Sequence, residues 1–256
     1  MTRWVELRDE RRLYEDGAVL VLDKPAGISV IGERHDVDLV DLARDAGEEL
    51  WPAHRIDKVT SGAIVFAKTA AAHASLARQF NRRSVEKAYL AVVRGGDVPA
   101  RGTIDLPLAV GRKNRVRVAA PRSSIVTDAE RSSWSVDPSA VFADKRTYPA
   151  RTDFALVAAD EGAALLVAQP VTGRRHQIRV HLAWIGFPIV GDPLFGSTAG
   201  ASDRTHLHAW QVAFDATWSE GERVVVEAVP GTDFWAPLPH AESEQLLAVA
   251  REVVSD

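Results

Sequence analysis

Ala53-His54-Arg55-Ile56-Asp57-Lys58-Val59-Thr60-Ser61-Gly62 sets one carboxylate among three potential cations and runs straight into an apolar stretch, Gly62 to Ala67. That stretch reads as a buried strand. So much polarity at the mouth of a core strand is unusual. Flanking positive charge lowers a carboxylate's pKa and holds it ionised, as a nucleophile or general base requires. A salt-bridged loop whose Thr60 and Ser61 satisfy local backbone groups would use the same residues. The loop by itself leaves both readings open.

Working outward, Ala18 to Asp23 predicts a strand stopped by the turn Lys24-Pro25-Ala26-Gly27. Helical spacing joins Leu39, Leu42, Ala43, Ala46 and Leu50, and an alanine-rich helix is predicted over Ala70 to Asn81 with Leu76 and Phe80 toward the core. Lys87 to Arg94 reads as a strand. Val116 and Val118 alternate with Arg115 and Arg117, the pattern of a half-exposed strand with a positive outer face. Arg122 to Arg146 is rich in Ser, Asp and Arg with weak periodicity, which suggests a mobile inserted loop, here taken as residues 122–146. Strands are predicted again at Thr152 to Ala158, Ala163 to Ala168, Leu207 to Phe214 and Arg223 to Val229, with helices at His176 to Ile185 and Glu242 to Val253. Strands outnumber helices and do not alternate strictly with them. That favours an α+β fold with a mixed, mainly antiparallel central sheet flanked by helices and loops.

The 256 residues, 46% hydrophobic and 26% charged, have ordinary globular composition, and a single catalytic domain over 1–256 is the simplest reading. Zero cysteines exclude disulfides, thiolate nucleophiles and thiolate metal sites. The charged opening residues predict no export signal, and no apolar run approaches the roughly 18 residues of a membrane span. A cytoplasmic protein is expected. The net charge of -4 hides a pattern: residues 51–216 hold 22 Lys and Arg against 14 Asp and Glu, while both ends are acidic. A polyanion needs only a local positive surface, so the acidic total does not exclude nucleic acid.

A second constellation is Thr172-Gly173-Arg174-Arg175-His176-Gln177-Ile178-Arg179-Val180-His181, within a stretch from Gly162 to Gly191 that has three arginines and no acid. With a helix starting near His176, His176 and Arg179 share a face that could bind phosphate; alternatively Arg179 pairs with an acid elsewhere, such as Asp57. Tyr89, in Glu86-Lys87-Ala88-Tyr89, could fill the core or stack on a base. Gly186-Phe187-Pro188-Ile189-Val190-Gly191-Asp192-Pro193 reads as a turn region that could shape a cleft. His206 and His208 share a strand face but lack a third ligand, so no metal site is expected. No GxGxxG, GxxxxGK[ST] or GxSxG occurs, which argues against nucleotide cofactors and serine hydrolases.

In order along the chain, these segments resemble RluA-type pseudouridine synthases. Leu22 to Gly27 is similar to the family's NKPxG motif, His54 to Gly62 to HRLDxxTSG, Lys87 to Ala91 to KxYxA, Gly173 to His181 to GRxHQIRxH, Gly186 to Gly196 to GHPIxGDxxYG, and Leu207 to Ala209 to LHA. Asp23, Lys58, Phe187 and Phe195 depart from the pattern. The resemblance implies the pseudouridine synthase catalytic fold and an RNA pseudouridine synthase that isomerises specific uridines in structured rRNA or tRNA, with no cofactor and no metal. It maps the catalytic aspartate onto Asp57, implies that Tyr89 packs against the target base, and implies that Arg179 pairs with Asp57. Arg55 becomes the candidate to fill the space of an extruded base. His54, Arg174, Arg175, His176, Arg115 and Arg117 are candidates for RNA contact. A monomer is expected, without the N-terminal S4-type domain of many relatives. Two rival readings are a non-catalytic RNA-binding protein and a glycosidase using two acids, for example Asp57 with Asp192.

Overall fold

The structure is a computed structural model that describes residues 4–32, 37–95, 97–111, 114–160, 162–196 and 204–255. From the N-terminus the elements are α1 (Trp4–Arg11), β1 (Arg12–Glu15), β2 (Val19–Lys24), α2 (Leu39–Asp45), β3 (Trp51–Pro52), β4 (Ser61–Ala67), α3 (Ala70–Arg82) and β5 (Glu86–Arg94). There follow β6 (Arg101–Asp105), β7 (Leu108–Val110), β8 (Val116–Val118), β9 (Ile125–Asp128), β10 (Ser133–Val136), β11 (Thr147–Tyr148), β12 (Arg151–Asp160) and β13 (Ala163–Pro170). α4 (Gln177–Trp184), β14 (Leu207–Asp215), β15 (Arg223–Glu227) and α5 (Ser243–Ser255) complete the chain. It divides into two compact units: Met1–Ala88 with Leu207–Gly231, and Tyr89–His206 with Thr232–Asp256.

In the first unit the strand order is β1-β2-β4-β14, with β3 on β4 and β15 on β14. β4 and β14 run parallel and the other pairs antiparallel. All seven residues of β4 are buried, as its unbroken apolar run predicts for a strand covered on both faces. Its first turn needs glycine: Gly62 has φ +109°, and a Cβ there would meet the Ala209 carbonyl oxygen at 2.3 Å. α3 starts where Thr69 accepts the Ala72 N–H and buries Ala72 and Leu76 against Val19, Val21, Val65 and Phe214. The helical spacing from Leu39 ends earlier than the pattern suggests, because Gly47 turns to φ +86°.

In the second unit the order is β5-β13-β12-β6-β10-β9, antiparallel except for the β10–β6 pair, and β11-β7-β8 form a separate antiparallel sheet. α5 packs on β12 and β13, and α4 on β8, β12 and β13. The fold is thus α+β with mixed, mainly antiparallel sheets. One expectation changes within 122–146: the segment carries the β9–β10 hairpin, and Trp134 is buried with its ring 5.9 Å from that of Phe154. Four-residue strands give too short a period to read, and β10 is recruited by a non-local parallel partner. The charged N-terminus likewise folds into α1 and β1, tied by Arg8 to Glu15 and Glu48.

Candidate active site and RNA-facing surface

The Asp57 loop joins β3 to β4 in the first unit. The Thr60 N–H donates to the Asp57 carbonyl (3.0 Å), closing a turn that leaves the carboxylate half-buried. Lys24 braces this loop from below. Its ammonium is fully buried and donates to the carbonyls of Pro25 (2.8 Å), Ile28 (2.8 Å) and Lys58 (3.3 Å), and the Gly27 N–H adds a second bond to Lys58 (2.8 Å). A buried charge is tolerable only with such saturation, and the arrangement fixes the residue next to Asp57. At the far end, the Ser61 hydroxyl donates to His208 Nδ1 (2.8 Å), since His208 Nε2–H donates to the Ala228 carbonyl (2.9 Å).

His54 and Arg55 divide into different jobs. His54 Nε2 accepts the Val65 N–H (3.1 Å), and its ring stacks on Phe80 at 4.9 Å. Burial, and then the nearby Lys87 charge, push its pKa down to about 3, so the ring is neutral and anchors the loop. Arg55 is exposed and its guanidinium has no hydrogen bond or ion pair among the described residues.

In the second unit Tyr89 is half-buried on β5, opposite Ala168 of β13. Arg179 on α4 is buried, 2% exposed, and forks onto Asp192: Nε to Oδ2 at 2.7 Å and Nη2 to Oδ1 at 2.9 Å. Asp192 also accepts the N–H groups of Leu194 (2.8 Å) and Phe195 (3.1 Å). Burial would raise the Asp192 pKa, but the Arg179 fork and these amides outweigh it and hold the carboxyl below its usual range. Arg179 thus has a bidentate partner in Asp192, because the Gly-Asp-Pro turn curls the carboxylate back onto α4. Asp192, held ionised by these donors, is ill suited to be the proton-donating acid of a glycosidase.

A buried polar network seats α4. Gln177 accepts from Thr172 (2.6 Å) and the Arg174 N–H (3.1 Å), and donates to the Arg151 carbonyl (2.8 Å) and Thr152 (3.0 Å). His181 Nε2–H donates to the Leu106 carbonyl and Nδ1 accepts from Thr152, both at 2.9 Å. Burial lowers the His181 pKa to about 4. His176, half-buried with φ 57°, sits edge-on to Phe195 at 5.8 Å.

The exposed cations of this unit gather around the small sheet. Val116 and Val118 are buried and Arg115 and Arg117 exposed, as their alternation predicts. Arg175 donates to Asn114, and Arg174 lies over the Tyr148 ring at 5.5 Å with Nε on the Pro149 carbonyl (3.2 Å). Arg146 covers the same ring at 5.1 Å. Arg146 and Tyr148 are additions that sequence reasoning missed; the Arg-x-Tyr spacing just before β12 was the available signal.

A family model described as RNA pseudouridylate synthase matches residues 18–184, a span that contains Asp57, Tyr89 and Arg179. The chain belongs to the RNA pseudouridylate synthase family. As a pseudouridine synthase it is an isomerase acting on RNA. The "Dual-specificity RNA pseudouridine synthase RluA" of Salmonella typhi is 35% identical over 203 residues, covering 77% of this chain and 83% of that protein. Two human structures share the fold. RNA Pseudouridylate Synthase Domain Containing 4 has a TM-score of 0.69 at 23% identity, covering 95% of this chain and 94% of that one. Domain Containing 1 has a TM-score of 0.66 at 25% identity, with 94% of each chain covered.

Proposed function

We propose that this pseudouridine synthase uses the Asp57 carboxylate to isomerise specific uridines in structured rRNA or tRNA. The observation that carries the reading is a half-buried carboxylate on a loop braced by a buried lysine, in the position of the family's essential aspartate. The reaction breaks the bond from ribose carbon 1′ to uracil nitrogen 1 and makes one to carbon 5. The carbon-5 proton leaves and nitrogen 1 gains one, so the change is redox-neutral and needs no cofactor or metal. Asp57 starts it, by attacking the nucleoside or removing a ribose proton.

A target base inside folded RNA must first be extruded, at about a few kcal/mol. Arg55, exposed and without a side-chain partner among the described residues, is suited to occupy the vacated space. Tyr89 packs on the flipped uracil, and Arg179 supports the Asp57 charge. Arg115, Arg117, Arg174 and Arg175 contact phosphates, joined by Arg146, while His176 lies at the start of α4 beside them. His54 serves RNA binding indirectly, by holding the loop that presents Arg55. Residues 1–256 act as one catalytic domain, a cytoplasmic monomer. The choice of rRNA or tRNA rests on the motif resemblance set out above.

The test is pseudouridine mapping of total RNA from cells with and without the gene, complemented by wild type or Asp57→Ala. A site lost and restored only by wild type supports the proposal. No change at any site would leave RNA binding without catalysis as the better reading.

A further inference from the structure

Within the first unit, α3 ends in an unusual way. Arg83, its C-cap, adopts the left-handed conformation at φ 60°, a position where glycine is the common choice. Backbone amides already satisfy the last carbonyls there: Arg83 N–H bonds Phe80 and Ser84 N–H bonds Gln79. The Arg83 side chain is therefore exposed without any capping duty. Close by, Lys87 at the start of β5 is half-buried, and its chain neighbour Glu86 is taken by Arg223 at 2.7 Å. Among the described residues neither the Arg83 nor the Lys87 side chain has a hydrogen bond or an anionic partner. Burial, and then the Arg83 charge, push the Lys87 pKa down, and Lys87 in turn depresses that of His54. His54 stacks on Phe80, one helical turn before Arg83, and leads directly to the exposed Arg55.

Like charges gathered without a counterion, one of them partly desolvated and one on a strained backbone, cost stability. The arrangement is favourable only when an anion arrives. We infer that Arg83 and Lys87 form a phosphate-binding site for the substrate RNA backbone, beside the His54 anchor of the Asp57 loop. Lys87 is the inner contact and Arg83 the outer one, so the strand carrying the target uridine is gripped beside that anchor. This rests on the RNA-modifying role proposed above.

The test uses the full chain, bulk tRNA as probe, and binding measured from about 50 to 300 mM KCl, where each phosphate contact contributes about 0.7–0.9 to the slope of log K against log salt. Arg83→Gly/Lys87→Gln should lower that slope by about 1.5 and weaken binding about tenfold or more at about 0.1 M salt. Arg83→Gly alone should raise Tm by about 2 °C, because the left-handed position is relieved, while still lowering the slope. A purely structural role predicts no change in slope. Arg44→Gln, which removes an exposed guanidinium paired to Asp41, serves as the control for bulk charge. Tight wild-type binding with an unaltered slope in the double variant, or an equal loss in Arg44→Gln, would overturn the site and leave the RNA reading standing. Wild type that fails to bind tRNA at low salt would remove both.

Discussion

Lowering the pH should loosen the seat of α4 through one histidine, and the effect can be sized. His181 is wholly buried, donates to the Leu106 carbonyl and accepts from Thr152, with a pKa lowered to about 4. In the unfolded chain the ring titrates near 6.5. The folded value is the lower one, so the unfolded state binds more protons below about pH 6.5. Stability is therefore full above that value and declines as the pH falls toward about 4, where the ring finally protonates in the fold as well. Between about pH 7 and pH 4.5 the loss from this residue is about 2 kcal/mol, because holding one ring neutral against the solution costs roughly 1.4 kcal/mol for each step of one in pH below its unfolded titration. Carboxylates with lowered pKa values, such as Asp192 and Asp16, add their own losses at lower pH. A variant separates the contributions. His181→Gln should be less stable than wild type at about pH 7 by about 1–3 kcal/mol, for an unmade buried hydrogen bond. That gap should close by about 2 kcal/mol at about pH 4.5, because the variant has no imidazole to protonate. Urea midpoints for both proteins at half-unit pH steps provide the measurement. Parallel curves would refute the reasoning.

Three further perturbations probe other parts of the site. Gly62→Ala forces a Cβ into the Ala209 backbone from a left-handed φ, and should cost about 3 kcal/mol or more, read as lost soluble yield or a Tm lower by about 6 °C or more. Asp192→Ala strips the acceptor from the buried Arg179 fork and two amides; about 3–5 kcal/mol of destabilisation is expected, and a urea midpoint within error of wild type would contradict the assigned pairing. Lys24→Met removes the brace under the Asp57 loop while keeping most of the buried volume. It should lower kcat about 10- to 100-fold with little change in RNA affinity, measured by single-turnover pseudouridine formation and filter binding.

The sequence made legible those features whose cause is local. The run into Lys24-Pro25-Ala26-Gly27 ends a strand because proline and glycine stop it, and Val116 and Val118 face inward because a strand alternates. Features made by distant partners stayed hidden. The β9–β10 hairpin lies in a Ser- and Asp-rich segment with no period of its own and exists because β6 offers an edge. Arg179 finds Asp192 only once the turn closes, when the Gly196 N–H reaches the Asp192 carbonyl at 3.0 Å.

The same distinction sorts the charged residues of the motifs, which spacing cannot do. His54 and Asp192 read as candidates for ligand contact or chemistry, yet they, like Lys24, Gln177 and His181 in the same motifs, are spent inside their own unit on carbonyls, amides or an arginine. Arg55, Arg115 and Arg117 look no different in the sequence but are exposed, with no guanidinium hydrogen bond or ion pair among the described residues. Water satisfies an exposed guanidinium, so exposure alone assigns it no partner. What sets these groups apart is that they stay available, and a polyanion such as the phosphate backbone of RNA gains affinity by displacing the salt ions around them, as the contacts proposed above require.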